Sequence, residues 1–167
     1  MVKRPKKPRE KPVLYIDVDG VLFAHYGDPF AFQLRPGVGS FLTWAIRNFR
    51  CRFLTCWSED QVWKLLHSIY LGGYVPQGQP GPTFEYANWK PTGQKSGVVK
   101  RHETFFWIED GVSREDEALL KSWGKWNCYI PVNPSGEDGL AEAKKALERR
   151  LTDRKFKIIE EDKPPLF

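Results

Sequence analysis

Apolar residues along this chain fall into short dense runs, most of them closed by a turn former or a charged residue. Val13-Leu14-Tyr15-Ile16, set between Pro12 and the Asp17-Val18-Asp19-Gly20 turn, predicts a strand buried on both faces, as in a parallel sheet. Further strands are predicted over residues 51–55, 83–86, 104–108 and 127–131. Between them the apolar spacing changes to the helical period. Phe41, Leu42, Trp44, Ala45, Ile46 and Phe49 line one face of a helix that opens at Arg35-Pro36-Gly37-Val38. Ser58, Glu59 and Asp60 read as the cap and acidic first turn of a helix over residues 59–70, stopped by Gly72-Gly73. Two more helices are predicted over 113–122 and 137–151, the latter with Leu140, Ala143, Ala146, Leu147 and Leu151 inward. Residues 21–36 alternate around Phe30 and Phe32 and contain Gly27 and Asp28-Pro29, which predicts a small hairpin or flap. Strands alternating with helices predict an α/β fold with a central, mostly parallel sheet of about five strands flanked by helices.

In open α/β sheets, ligands gather at the carboxyl ends of the strands. The first strand ends in Asp17 and Asp19, two carboxylates one residue apart. They repel each other, and partial burial magnifies the repulsion. A cation between them relieves it, or a retained proton does. Mg²⁺ suits such oxygen ligands. The plainer alternative is a strand that ends in an Asx-type turn. The strand at 51–55 ends in Thr55, whose hydroxyl can donate to a phosphoryl oxygen without adding charge. The strand at 104–108 runs into Glu109-Asp110-Gly111, a second apolar strand closed by acids and a glycine.

The hhhhDxDGV pattern from Leu14 to Val21 resembles motif I of the haloacid dehalogenase (HAD)-like superfamily, most of whose members are phosphatases. The order Thr55, a lysine, then Glu109-Asp110 follows that family's remaining motifs, and the resemblance covers about residues 12–151. It implies a Rossmann-like fold with Asp17 as nucleophile and Asp19 as general acid/base. Thr55 and Lys95 would bind phosphoryl oxygens, and Mg²⁺ would be held by the Asp17 carboxylate, the Asp19 backbone carbonyl and Asp110. For the motif III lysine Lys90, Lys95 and Lys100 compete, and Lys95, 15 positions before Asp110, stands closest to the family's spacing. The family's usual Asp-Asp pair is Glu109-Asp110 here. Glu109 is therefore a secondary candidate, to orient a metal-bound water or Lys95. Glu115 and Asp116 are candidates for an outer carboxylate, although Ser113-Arg114-Glu115-Asp116 reads more simply as a helix cap. His25 on the flap is a weaker substrate-contact candidate. The RPGV helix start also resembles the small capless phosphatases that act on the RNA polymerase C-terminal domain, and the weaker likeness to HAD domains of RNA-repair proteins points to nucleic acid.

Composition narrows this picture. The chain has 167 residues, 41% hydrophobic, with seven Trp, which is enough for one domain with a core. Six basic residues against Glu10 leave +5 before residue 12, equal to the formal charge of the whole chain. The excess sits in a Pro-punctuated segment, MVKRPKKPREKP, so residues 1–11 are expected to be a disordered basic tail. Its partner is nucleic acid through phosphates, or it serves only for solvation. Residues 152–167 read as a C-terminal extension. Cys51, Cys56 and Cys128 have no metal-ligand spacing and are expected to be free thiols, with Cys51 and Cys56 buried beside their strand. No apolar run approaches the ~18 residues of a membrane span, and the expectation is a cytoplasmic protein.

Residues 71–93 are too short and too rich in Gly and Pro for an inserted cap domain. A capless site favours bulky or polymeric substrates. The leading expectation is a Mg²⁺-dependent phosphomonoester hydrolase acting on a macromolecule, such as a nucleic-acid phosphate end. A phosphoprotein phosphatase, a small-metabolite or nucleotide phosphatase, and a non-catalytic binding module of the same fold are the alternatives.

Overall fold

The computed structural model describes residues 10–25, 32–71 and 84–154. The tip of the expected flap, most of the Gly/Pro-rich stretch, nearly all of the basic tail and most of the C-terminal extension lie outside these residues.

Five strands form one sheet: β1 (Val13–Ile16), β4 (Arg50–Thr55), β5 (Glu85–Asn88), β6 (Phe105–Glu109) and β7 (Tyr129–Pro131). Their spatial order is β5-β4-β1-β6-β7, and each neighbouring pair is parallel. The expected α/β architecture with a central parallel sheet is therefore present. β5 begins two residues later than the pattern predicted. β2 (Phe23–His25) and β3 (Phe32–Leu34) pair antiparallel, as the flap reading anticipated. Among the described residues this hairpin is the only regular structure between β1 and the first helix.

The central strands alternate side chains between two layers, as a pleated strand must. Leu14, Ile16, Phe106 and Ile108 pack into one buried cluster together with Phe41, Trp44, Val62, Leu140 and Leu147. These last residues come from α1 (Val38–Asn48), α2 (Glu59–Leu71) and α4 (Gly139–Asp153). Val13, Tyr15, Phe105 and Trp107 point the other way, toward Val99, Leu120 and Cys128, where α3 (Arg114–Ser122) lies. A near-continuous apolar run is what a strand covered on both faces requires. Burying each large side chain contributes about 2–3 kcal/mol before chain entropy is counted.

Local chemistry explains the helix starts. Ser58 and Gln61 cap α2 reciprocally: the Gln61 N–H donates to Ser58 Oγ (3.2 Å) and the Ser58 N–H to Gln61 Oε1 (2.8 Å). α4 begins at Gly139, two residues later than its charge pattern predicted. Cys51 and Cys128 are buried free thiols, but Cys56 is exposed, correcting the expectation for it. It stands just past the last residue of β4, where the chain turns out of the sheet.

Candidate active site

The strand order reverses at β1: the chain moves from β1 outward through β4 and β5, then returns to place β6 on β1's other side. Such a switch point opens a crevice at the carboxyl ends of the central strands. The pairing Ile16↔Ile108 puts Asp17 next to Glu109, and Ile16↔Phe53 carries Thr55 to the same end. The parallel register thus gathers acids and a hydroxyl from widely separated parts of the chain.

Asp17, Glu109 and Asp110 each offer a carboxylate oxygen, all within 4.8 Å of one another. Asp17 is 5% exposed and Glu109 fully buried. The Lys95 ammonium lies 3.2 Å from Asp17 Oδ2 and also donates to Glu109 Oε2. It stands 5.7 Å from the centroid of the Trp89 ring, whose face favours a cation. Lys95 opens a 3-10 turn, Lys95–Gly97, rather than an α-helix. Lys90 opens a separate exposed turn, Lys90–Thr92, so it is Lys95 that meets the acids.

Electrostatics follow from this crowding. Burial raises Asp17 above its ordinary value, with Lys95 pulling the other way. Burial, and then the Asp17 carboxylate, push Glu109 up to about 11. Burial alone would lower Lys95, but Asp17 and Glu109 outweigh it and hold the ammonium above its usual value. Three carboxylates against one ammonium leave excess negative charge, which a retained proton offsets. A hard divalent cation offsets it too, and reverses the pKa logic. The all-oxygen donor set therefore fits Mg²⁺.

Gly20 is shaped by the same crowding. Its φ is +73°, and a Cβ there would stand 2.2 Å from Asp110 Oδ2. Only glycine lets the turn after Asp19 pass so close to that carboxylate.

Asp19 is placed differently. Its side chain is not part of the acidic trio; instead its Oδ2 accepts a hydrogen bond from the Trp57 indole Nε1 at 2.9 Å. Thr55 is fully buried, and its Oγ1 accepts the Trp57 backbone N–H at 3.2 Å, leaving its own O–H to donate. Asp116 does two things. Its N–H is capped by Ser113 Oγ (3.0 Å), as the sequence predicted, while its buried Oδ1 accepts from the Ser96 N–H at 2.9 Å. That bond ties the start of α3 to the turn carrying Lys95. Glu115 is exposed. His25 ends β2, and its side chain lies outside the described residues.

Two contributors escaped the sequence reading. Arg35, taken only as a helix opener, is 2% exposed and donates to the carbonyls of Gly20 (2.8 Å), Asn133 (2.6 Å) and Gly136. It braces the turn after Asp19 against the loop after β7, with acceptors about 100 residues away that no local pattern announces. Trp57 did leave a signal: a large aromatic in a polar turn at a strand end.

No protein-family model matches the chain, and no curated protein matches it. Among solved structures, the chain is similar to Fcp1, described as an essential RNA polymerase II CTD phosphatase, at 14% identity and a TM-score of 0.44 over 87% of this chain. A second structure, fission yeast Fcp1-R271A bound to beryllium fluoride, matches at 14% identity and a TM-score of 0.43 over the same share. The chain spans about half the length of each, 51% and 53%.

Proposed function

We propose that the chain is a HAD-like, Mg²⁺-dependent phosphomonoester hydrolase that works through an aspartyl-phosphate, with a nucleic-acid phosphate end as its substrate. The observation that supports this most is the meeting of Asp17 with Lys95 (3.2 Å), Glu109 and Asp110 at the carboxyl ends of adjacent parallel strands. A buried carboxylate beside a fixed cation is a nucleophile with an electrostatic partner for the phosphoryl group already in place.

In the first step an Asp17 carboxylate oxygen forms a bond to phosphorus. The bond to the leaving oxygen breaks, and that oxygen takes its proton from Asp19. In the second step a water attacks the same phosphorus, loses a proton to Asp19, and releases phosphate as the bond to Asp17 breaks. Lys95 and the Thr55 hydroxyl bind phosphoryl oxygens throughout. Asp17 and Asp110, with the Asp19 backbone carbonyl, would hold Mg²⁺, and Glu109 keeps Lys95 in place. When bound, the ion offsets the negative charge of phosphate and carboxylates.

The basic residues before position 12 favour a polyanionic substrate over a small one. The described helices contain none long and apolar enough to cross a membrane. The test is phosphate release, with Mg²⁺ and after chelation, from an aryl phosphate, 3′- and 5′-phosphorylated oligonucleotides, a phosphopeptide and free nucleotides. Turnover strongest on one oligonucleotide end, lost on chelation and in Asp17→Asn, is the expected result. Turnover confined to phosphopeptide or nucleotide would transfer the chemistry to that substrate. A folded protein silent throughout would overturn the enzymatic reading. Deleting residues 1–11 is expected to weaken salt-sensitive oligonucleotide binding while sparing aryl phosphate turnover.

A further inference from the structure

Trp57 is held from several directions at once. Its backbone N–H donates to Thr55 Oγ1 at the end of β4, and its backbone carbonyl accepts from the Tyr86 hydroxyl of β5. Its ring leans on Phe23 of the hairpin, centroids 5.6 Å apart and planes tilted by 34°. With its backbone pinned at both groups and its ring packed on Phe23, the side chain aims its ring nitrogen at Asp19 Oδ2 (2.9 Å).

An indole nitrogen only donates; it has no lone pair to accept a proton or a hydrogen bond. The Asp19 oxygen that takes this bond therefore cannot direct an O–H along the same line. When Asp19 is protonated, the geometry leaves the proton to Oδ1. When Asp19 is ionised, Oδ2 is already engaged and Oδ1 is the oxygen left to receive a proton.

We propose that Trp57 is a positioning residue for Asp19: it occupies Oδ2 and so assigns the proton transfers to Oδ1. This rests on the phosphatase reading above. In the first step the P–O bond to the leaving group breaks, and the oxygen that departs with the electron pair takes the proton from Oδ1. In the second step the attacking water returns a proton to Oδ1 as the bond from phosphorus to Asp17 breaks. Trp57 touches neither phosphorus nor the leaving oxygen in these steps.

A purely structural tryptophan would affect all substrates alike, and proton delivery does not. A nitrophenolate leaves readily without a proton, whereas an alkoxide needs one. The experiment compares p-nitrophenyl phosphate with benzyl phosphate in the full-length protein with Mg²⁺, for wild type, Trp57→Phe, Asp19→Asn and Asp17→Asn. Trp57→Phe keeps an aromatic ring in the packing and deletes the N–H. The expected result is a loss of about tenfold in kcat/KM on benzyl phosphate and less than about twofold on p-nitrophenyl phosphate, because kcat/KM reports the steps through departure of the leaving group and not the later hydrolysis common to both esters. Asp19→Asn is expected to show the same bias, larger.

Equal losses of kcat/KM on both esters, or none, in a folded Trp57→Phe would overturn the positioning role. The phosphatase reading would survive that result, provided wild type is active and Asp17→Asn is not. Should Trp57→Phe fail to fold, the wild type still decides: a bias between the esters as steep as in Asp19→Asn means that Asp19 delivers no proton, and the inference falls. An absence of turnover by wild type on either ester would overturn both the reading and the inference.

Discussion

Toward the amino ends of the strands, Arg50 and Arg52 face Glu85 and Glu103, and at the carboxyl ends Lys95 faces Asp17 and Glu109, with Asp110 beside them. The two clusters belong to the same sheet, and each has a buried centre, Arg52 in the first and Asp17 with Glu109 in the second. In the first, two cations meet two carboxylates. Arg52 alone reaches Glu103 at 2.6 Å, Glu85, and the Tyr15 hydroxyl at 3.0 Å, joining three strands and the loop before β6. Burial by itself would lower the Arg52 pKa, but Glu103 and Glu85 outweigh it and raise it. The second cluster has one cation for three acids, and its raised Asp17 and Glu109 show the strain. A balanced network offsets its own charge, whereas the excess negative charge of the second calls for a retained proton or a hard cation.

That contrast can be broken experimentally. The largest effect is expected from Asp17→Asn, with kcat falling on the order of 10⁴-fold or more. Its unfolding midpoint should hold or rise, since a crowded negative charge is removed; urea titration of both proteins checks this. Lys95→Met is expected to lower kcat by about 10²–10³-fold. It should also destabilise the fold, because it strips the cation from two buried carboxylates. Full turnover in Lys95→Met, with loss in Lys90→Met, would reverse the choice between these lysines.

Arg52→Met tests the other cluster. It should cost about 3 kcal/mol of stability by chemical denaturation, because buried Arg52 is the hub that its acids share. Turnover per folded molecule should be unchanged, and a large loss of kcat would mean that the two ends are coupled. The smallest effect is one of pH. Burial raises Glu85, but its bonds to Arg52 and Arg50 outweigh this and hold it below the usual 4.5. Its contribution is therefore present above the unfolded value and is lost as pH falls through the lower folded one. Stability measured downward from pH 5 should decline less steeply in Arg52→Met than in wild type.

Much of this was readable from the chain. The apolar runs at Val13, Phe53 and Phe105 predicted buried strands, because a strand covered on both faces admits few other patterns. Asp17, Thr55 and Asp110 were legible as candidates because each closes such a run, and strand ends are where α/β sheets place their chemistry. The choice of Lys95 rested on the spacing that the resemblance to the HAD-like superfamily implies, and the structure brings that lysine to Asp17. Asp116 was weighed as an outer carboxylate or a cap residue; its bond to the Ser96 N–H depends on α3 packing against a turn twenty residues earlier.

What the sequence determined by itself was the inventory: which segments are strands, which helices, and which acids stand at their ends. These depend on periodicity and on neighbours a few positions away. Tertiary structure alone decided the partners. Arg35 found carbonyls about 100 residues distant, Arg52 joined acids from two other segments, and Trp57 turned its N–H toward Asp19 rather than solvent. Hydrogen bonds and ion pairs act over a few ångströms in space, whatever the separation along the chain. They become visible only when the parallel register has brought those segments side by side.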